Sequence, residues 1–418
     1  MKNWVEPVEV SVPPGLQAQV GGHHLVARTL VRRGIDELAA ARAFLDPDAY
    51  HPAAPTEMPG MALAAERLEQ AIERGERICV WGDFDVDGQT ATTLLVSALR
   101  ALGAQVSYHI PVRAKESHGV NLPVLKQILQ PESGQGAELL LTCDTGIRAH
   151  AAVAFAREQG VDVIISDHHE LPAELPGALA IVNPRLLPET HPLATLPGVG
   201  VAYMLAQELY RRQDRQGELE ACLDLVALGI VADVALQRDD ARYLLQRGLK
   251  VLQDNRRLGM QALLELAELA PERLTEEHIG FVIAPRLNAL GRLGDANPVV
   301  EFFTTQDLTR ARILAQQLHG VNARRKLLTE QVFQGALAQI ERDPSLLEHA
   351  ALVLEHPNWH AGVIGIVASR LVERYNRPAV LISAPPEGIG RGSARSIPGV
   401  NITAAIKQQE HLLQGFGG

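Results

Sequence analysis

Ile78-Cys79-Val80-Trp81-Gly82-Asp83-Phe84-Asp85-Val86-Asp87-Gly88 decides the fold, because four apolar residues run directly into three aspartates set two apart. A short apolar run of this kind has the character of a buried strand. A strand ending in clustered carboxylates puts hard oxygen ligands at the edge of a sheet, and their mutual repulsion calls for a divalent cation. A calcium loop of the EF-hand type shares several of these positions. It needs a bidentate Glu at its twelfth position and a helix before the loop, whereas this chain has Leu94 there and a strand-like run before it. The plainer alternative is a solvated acidic turn between strand and helix.

Further acids at strand ends favour the metal site. Glu138-Leu139-Leu140-Leu141-Thr142-Cys143-Asp144 and Val161-Asp162-Val163-Ile164-Ile165-Ser166-Asp167 are apolar runs ending in Asp, and the second continues into His168-His169. In a parallel α/β sheet the carboxyl ends of the strands line one crevice, so the three ends are expected to converge. Asp83, Asp85, Asp87, Asp144, His168 and Asp233 then form an oxygen-rich set with one imidazole. That set suits Mn2+ or Mg2+ better than zinc, and two ions are expected. Two ions about 3.5–4 Å apart are the arrangement of metal-assisted phosphoester hydrolysis. Adjacent residues leaving a strand point apart, so one of His168 and His169 faces the ions and the other meets a phosphate or protonates a leaving group. His23-His24 have no acid-bearing strand before them and read as surface histidines.

Strand and helix patterns alternate over about residues 62–250, which predicts a largely parallel sheet covered on both faces. A helix is expected over 90–102 after the first acid cluster, another over 149–159, one from Gly198-Val199-Gly200 to about 211, and one over 219–231 that delivers Asp233. Residues 1–61 look like an N-terminal extension. Residues 251–345 read as a helical connector ending in one long helix over 308–342, with Gly320 as a place for a kink, that bridges two domains. From 346 the α/β pattern returns, with strands near 352–354, 379–382 and 388–396 and helices over 362–375 and 401–413. The ending Gly415-Phe416-Gly417-Gly418 falls in mid-domain and suggests a piece of a longer protein.

The basic residues sit mainly in the second half of this map. Arg391-Gly392-Ser393-Ala394-Arg395 puts Arg391, Ser393 and Arg395 on one strand face, where arginine forks and a hydroxyl suit phosphate oxygens. The plainer alternative is a charged edge strand. Pro285-Arg286-Leu287-Asn288-Ala289-Leu290-Gly291-Arg292 is a second polar segment, and the Trp359-His360-Ala361-Gly362 turn offers His360 and backbone amides to an anion. The net charge of −10 argues against nucleic acid only until bound cations and clustering of the bases are considered. Three cysteines without a CxxC pair exclude a zinc–thiolate site and a disulfide framework. The start, Met1-Lys2-Asn3-Trp4, lacks a signal-peptide pattern and no apolar run nears the ~20 residues of a bilayer span, so a cytoplasmic protein without a membrane partner is expected.

Taken in order, GDFDVDG at 82–88, CDTG at 143–146, SDHHE at 166–170, IVNPR at 181–185, GVGVA at 198–202, VADV at 231–234, PRLNALGRLGDA at 285–296, WHAGVIGIVASRL at 359–371 and GSARS at 392–396 resemble the DHH phosphoesterases, within them the RecJ-type single-stranded-DNA exonucleases. The resemblance implies an α/β fold, a parallel-sheet DHH domain joined by a long helix to a smaller, truncated α/β DHH-associated domain. It implies that Asp85, Asp87, Asp144, His168 and Asp233 hold two Mn2+ or Mg2+ ions, with Asp83 and Asp167 in supporting roles and His169 catalytic or phosphate-contacting. Arg286, Asn288, His360, Ser393 and Arg395 are similar to positions that hold the DNA strand and its terminal phosphate.

The 5′→3′ direction of cutting, the role in DNA repair and recombination, and a helicase or single-strand-binding protein as assistant come from the resemblance alone. The family's DHH-associated domain continues to a His, and an OB-type domain follows it; neither falls within these 418 residues. Two other functions fit the same motifs. One is a DHH phosphodiesterase of short oligonucleotides or small nucleotides, and the other a replication scaffold that has lost its metals.

Overall fold

The computed structural model describes residues 5–116, 118–130 and 134–417. Met1–Trp4 and Gly418, used above for the two ends of the chain, lie outside the described residues. Contacts divide the chain into two units, Met1–Pro285 with Asp295–Ala315, and Arg286–Gly294 with Gln316–Gly418.

The first unit is built on strands β1 (Arg77–Trp81), β2 (Gln105–His109), β3 (Leu139–Cys143), β4 (Asp162–Ser166) and β5 (Ala180–Val182), all parallel, in the order β2-β1-β3-β4-β5. Strands β1 and β3 are apolar through both faces because helices cover each side. Cys79, Trp81, Leu140, Val163 and Ile165 pack on one face against Leu125, Val153 and Ala156. Ile78, Val80, Leu141 and Ile164 are wholly buried on the other. Removing each such side chain from water contributes about 1.5–3 kcal/mol.

Helix α1 (Val86–Ala101) connects β1 to β2, α2 (His150–Glu158) connects β3 to β4, and α3 (Gly198–Arg212) and α4 (Leu223–Ala232) follow the sheet. The chain leaves β1 for β2 on one side and returns for β3 on the other. The strand order therefore reverses between β1 and β3, which opens a crevice at their carboxyl ends. Aspartates follow both strands, Asp83 within two residues of β1 and Asp144 directly after β3.

Several boundaries differ from the sequence patterns for local reasons. Helix α1 starts at Val86 rather than Thr90, since Asp85 caps it by accepting from the Gly88 amide at 3.1 Å. The acid motif is thus the first turn of the helix as well as the end of the strand. The expected helix over 219–231 divides into a 3-10 turn, Gln216–Cys222, and α4. Among the N-terminal residues, helices Leu16–Gln19, His24–Arg32 and Leu38–Leu45 share a small core of Leu16, Ala27, Leu30 and Ala41. No helix among the described residues is long and apolar enough to cross a membrane.

Ahead of helix α5 (Ala284–Leu293) the backbone passes through a π-helical turn, Ile279–Ile283. Pro285 offers no N–H and crowds the carbonyl four residues back, which a wider turn accommodates. Helix α6 (Leu308–Arg342) is continuous through Gly320. Its residues 308–315 belong to the first unit and 316–342 to the second.

In the second unit, β6 (Leu352–His356) pairs parallel with β7 (Ala379–Ser383), which pairs antiparallel with β8 (Arg391–Arg395). Helix α7 (Ala361–Tyr375) and the later turns of α6 cover this sheet through Phe333, Leu337, Val363, Val367, Leu354 and Leu381. The helix expected over 401–413 is shorter, Ile402–Lys407, followed by a 3-10 turn, Glu410–Leu412.

Candidate metal centre

The strand ends bring the acids together. Backbone hydrogen bonds carry the sheet one residue past its strands: Gly82 N–H donates to the His109 carbonyl at 2.9 Å, Asp144 N–H to Ser166 at 2.9 Å, and Asp167 N–H to Val182 at 3.0 Å. The acids thus stand on ordered backbone. Asp144 has φ 58°, the left-handed region that a non-glycine residue enters at a cost of about 1–3 kcal/mol, a kind of strain concentrated at functional sites.

Ligand atoms gather in three overlapping groups whose members lie within 4.8 Å of one another: Asp83, Asp85 and Asp144; Asp87, His168 and Asp233; and Asp144, His168 and His169. Asp144 links the first group to the second through His168, whose Nε2 lies 3.0 Å from Asp144 Oδ1 and 3.7 Å from Asp87 Oδ2. His168 Nδ1 is 4.0 Å from Asp233 Oδ2. Asp83, a member of the oxygen-rich set in the sequence and given a supporting role only by the family resemblance, thus stands among the potential ligands. Asp167 accepts instead from the amides of Ile147, His168 and His169 and from His169 Nδ1 at 2.7 Å. Asp167 falls in none of the three ligand groups among the described residues, and its bond to the His169 ring orients that histidine.

Electrostatics divides the two histidines. Burial, then the neighbouring His169, pushes His168 down to about 4. The hydrogen bond that the His169 ring donates to Asp167 pushes His169 up to about 9. Near neutral pH His168 is therefore a neutral ring able to offer a lone pair, and His169 a cation. Burial, then the charge of Asp85, pushes Asp83 up to about 7 and Asp233 to about 6. Asp87 and Asp144 rise through burial and then through neighbouring aspartates, Asp233 for Asp87 and Asp87 for Asp144.

A metal fits this set on the structure's own terms. Asp144 Oδ1 is buried and, with His168 Nε2 3.0 Å away but not aligned to donate, accepts no hydrogen bond, which costs about 1–3 kcal/mol for a neutral group and more for a charged one. A cation among these carboxylates satisfies that oxygen and offsets the repulsion that, after burial, raises Asp83, Asp87, Asp144 and Asp233. Five carboxylates with one neutral imidazole form the donor set of a hard divalent ion.

In the second unit, Ser393 and Arg395 share the face of β8 that lies over α7. A Cβ added at Gly365 would stand 3.1 Å from Ser393 Oγ and 3.2 Å from an Arg395 guanidinium nitrogen, so glycine permits the close approach. His360 caps α7, its Nδ1 accepting from the Gly362 amide at 3.0 Å. The neutral ring, held so by burial and then by Arg324, therefore carries its proton on Nε2. Arg286 and Asn288 lie on α5, whose Arg292 carbonyl abuts Gly362.

Some neighbours of the centre were given no role in the sequence reading. Arg113 lies over the Phe84 ring at 5.1 Å, and the His118 ring is 4.7 Å from it. Asn183 is wholly buried and donates to the His169 carbonyl at 3.1 Å. Only the position of Asn183 at a strand end, in Ile181-Val182-Asn183-Pro184, signalled it.

The DHH family, N-terminal domain, matches residues 77–230, and the DHHA1 domain matches 348–418. A solved structure of exonuclease RecJ bound to manganese is 36% identical, with a TM-score of 0.76 over 88% of this chain and 90% of that one. The chain belongs to the RecJ-type DHH family. Among its RecJ-type relatives, the Bacillus subtilis single-stranded-DNA-specific exonuclease RecJ is 40% identical over 399 residues, 94% of this chain and 49% of that protein. The Escherichia coli RecJ is 38% identical over 87% of this chain and 65% of its own length. RecJ from Thermus thermophilus in complex with Mn2+ has a TM-score of 0.83 at 33% identity, over 98% of this chain and 58% of that one. The chain thus spans about half to two-thirds of the length of these curated relatives.

Proposed function

We propose that this chain is a metal-dependent 5′→3′ exonuclease that hydrolyses single-stranded DNA to 5′-mononucleotides in DNA repair and recombination. The observation that carries the reading is Asp144, which joins two oxygen-rich ligand groups at the point where the strand order reverses. Asp83 and Asp85 would hold one Mn2+ or Mg2+ ion, Asp87, His168 and Asp233 the other, and Asp144 both. Two such ions supply an activated water and neutralise charge on the phosphoryl oxygens.

The chain's own residues do the rest. Asp167 fixes the His169 ring through Nδ1 and leaves its Nε2–H free to donate to the leaving oxygen. In the second unit the Ser393 hydroxyl, the Arg395 guanidinium and His360 Nε2–H are donors suited to phosphate oxygens. Direction of cutting and preference for DNA rest on the likeness to RecJ, as do a cytoplasmic location and help from a helicase and a single-strand-binding protein.

Single-stranded DNA labelled at either end, incubated with Mn2+, Mg2+ or chelator, tests the reading. Mononucleotides released progressively from the 5′ end, with metal only, are expected. Cleavage of dinucleotides but not of long strands would overturn it in favour of a small-substrate phosphodiesterase, and absence of metal binding would point to a scaffold.

A further inference from the structure

Helix α3 starts against the acid cluster. Its first two amides, Gly198 N–H and Val199 N–H, donate to Asp87 Oδ2 at 2.6 Å and Asp87 Oδ1 at 2.8 Å. Both oxygens of one buried carboxylate are thus held by consecutive amides of a single rigid element, so the group cannot turn without breaking both bonds. The positive end of the helix dipole also favours its charged form.

Gly198 has a second neighbour. A Cβ built on it would lie 2.5 Å from both Cβ and Oδ1 of Asp144, far inside contact distance. Oδ1 is the buried oxygen that accepts no hydrogen bond. Asp87 belongs to the group with His168 and Asp233, and Asp144 to the other two groups, so one residue of α3 abuts members of all three. From the far side, a Cβ on Gly229 of α4 would stand 2.8 Å from Asp87 Oδ1. Space decides this glycine rather than backbone conformation, since Gly198 does not adopt a positive φ.

We propose that the first turn of α3 positions the metal-holding carboxylates, with Gly198 as the positioning residue that sets the spacing of Asp87 and Asp144. The inference rests on the metal reading above. It makes the acid set preassembled: Asp87 is aligned before an ion arrives, and each ion meets ligands already in place.

Calorimetric titration of the whole chain with Mn2+ alone, paired with melting in chelator, tests it. Gly198→Ala is expected to weaken Mn2+ binding at least tenfold. The control is Gly335→Ala on α6, whose Cβ would stand 3.3 Å from Trp359 Nε1; it should leave Mn2+ affinity unchanged. Wild-type affinity in Gly198→Ala overturns the proposal.

Should Gly198→Ala not fold, hydrogen exchange of the wild-type peptide around 198–199 decides. Equal protection in chelator and in Mn2+ supports the anchor, and protection gained only with Mn2+ overturns it. A wild-type chain that binds no Mn2+ would instead bring down the metal reading itself, whatever the exchange shows.

Discussion

Asp144 combines a left-handed backbone with an oxygen that accepts no hydrogen bond, and both destabilise the metal-free protein. Asp144→Asn keeps a residue tolerant of that backbone and removes one of the repelling charges. Hydrolysis and tight Mn2+ binding should be lost, while stability in chelator rises by on the order of 1 kcal/mol. Denaturant unfolding beside an activity assay checks both, and wild-type turnover in this variant would remove Asp144 from the centre. The histidine pair gives a sharper contrast. His169→Ala should keep Mn2+ affinity and lose rate by ~10²–10⁴-fold, the usual contribution of a positioned acid. His168→Ala should lose affinity, because its neutral Nε2 faces Asp144. Equal affinity losses in the two variants would end the division of labour.

Strand β8 is the element whose role depends most on what it faces. Its Ser393 and Arg395 meet Gly365 of α7 at 3.1 and 3.2 Å from a notional Cβ, so the face is shaped and not merely charged. A contact to a single-strand phosphate contributes about 0.7 to the slope of log affinity against log salt. Arg395→Ala should therefore weaken binding of single-stranded DNA and reduce that slope by roughly one contact's worth. Filter binding across a salt series measures both quantities. An unchanged slope returns β8 to an edge strand guarded by charge.

The chain as a whole concentrates buried acids at one sheet edge, and its stability should register this. Burial, then Asp85, raises Asp83 to about 7 and Asp233 to about 6 from an ordinary 3.8, and Asp87 and Asp144 rise as well. A group with a raised folded pKa binds more protons in the native state, so its stabilisation is present at low pH and is lost as pH climbs through the folded pKa. His168, lowered to about 4 by burial, works the other way between about 4 and 6.5, but it is one group against four. In chelator, stability should therefore fall from about pH 4 to pH 7. Saturating Mn2+ should reverse the trend, because it binds the deprotonated native set. Thermal melts at several pH values with and without Mn2+ test this, and parallel curves would contradict it.

Much of the molecule was legible in residue order. Apolar runs leading into Asp83-Phe84-Asp85-Val86-Asp87, Asp144 and Asp167-His168 specified a parallel sheet and the edge where its acids gather, since strand period and burial are local consequences of sequence. The long helix over 308–342 was legible for the same reason. The start of α1 was hidden, because the acid motif looks like a loop until Asp85 is seen capping the Gly88 amide. Only the tertiary structure showed that Asp167 accepts from three amides and the His169 ring, and that the first turn of α3 grips Asp87 from 111 residues away. Those outcomes depend on which strand neighbours which and on where a helix end lands. Contacts between distant segments set both, and the spacing of residues along the chain does not encode them.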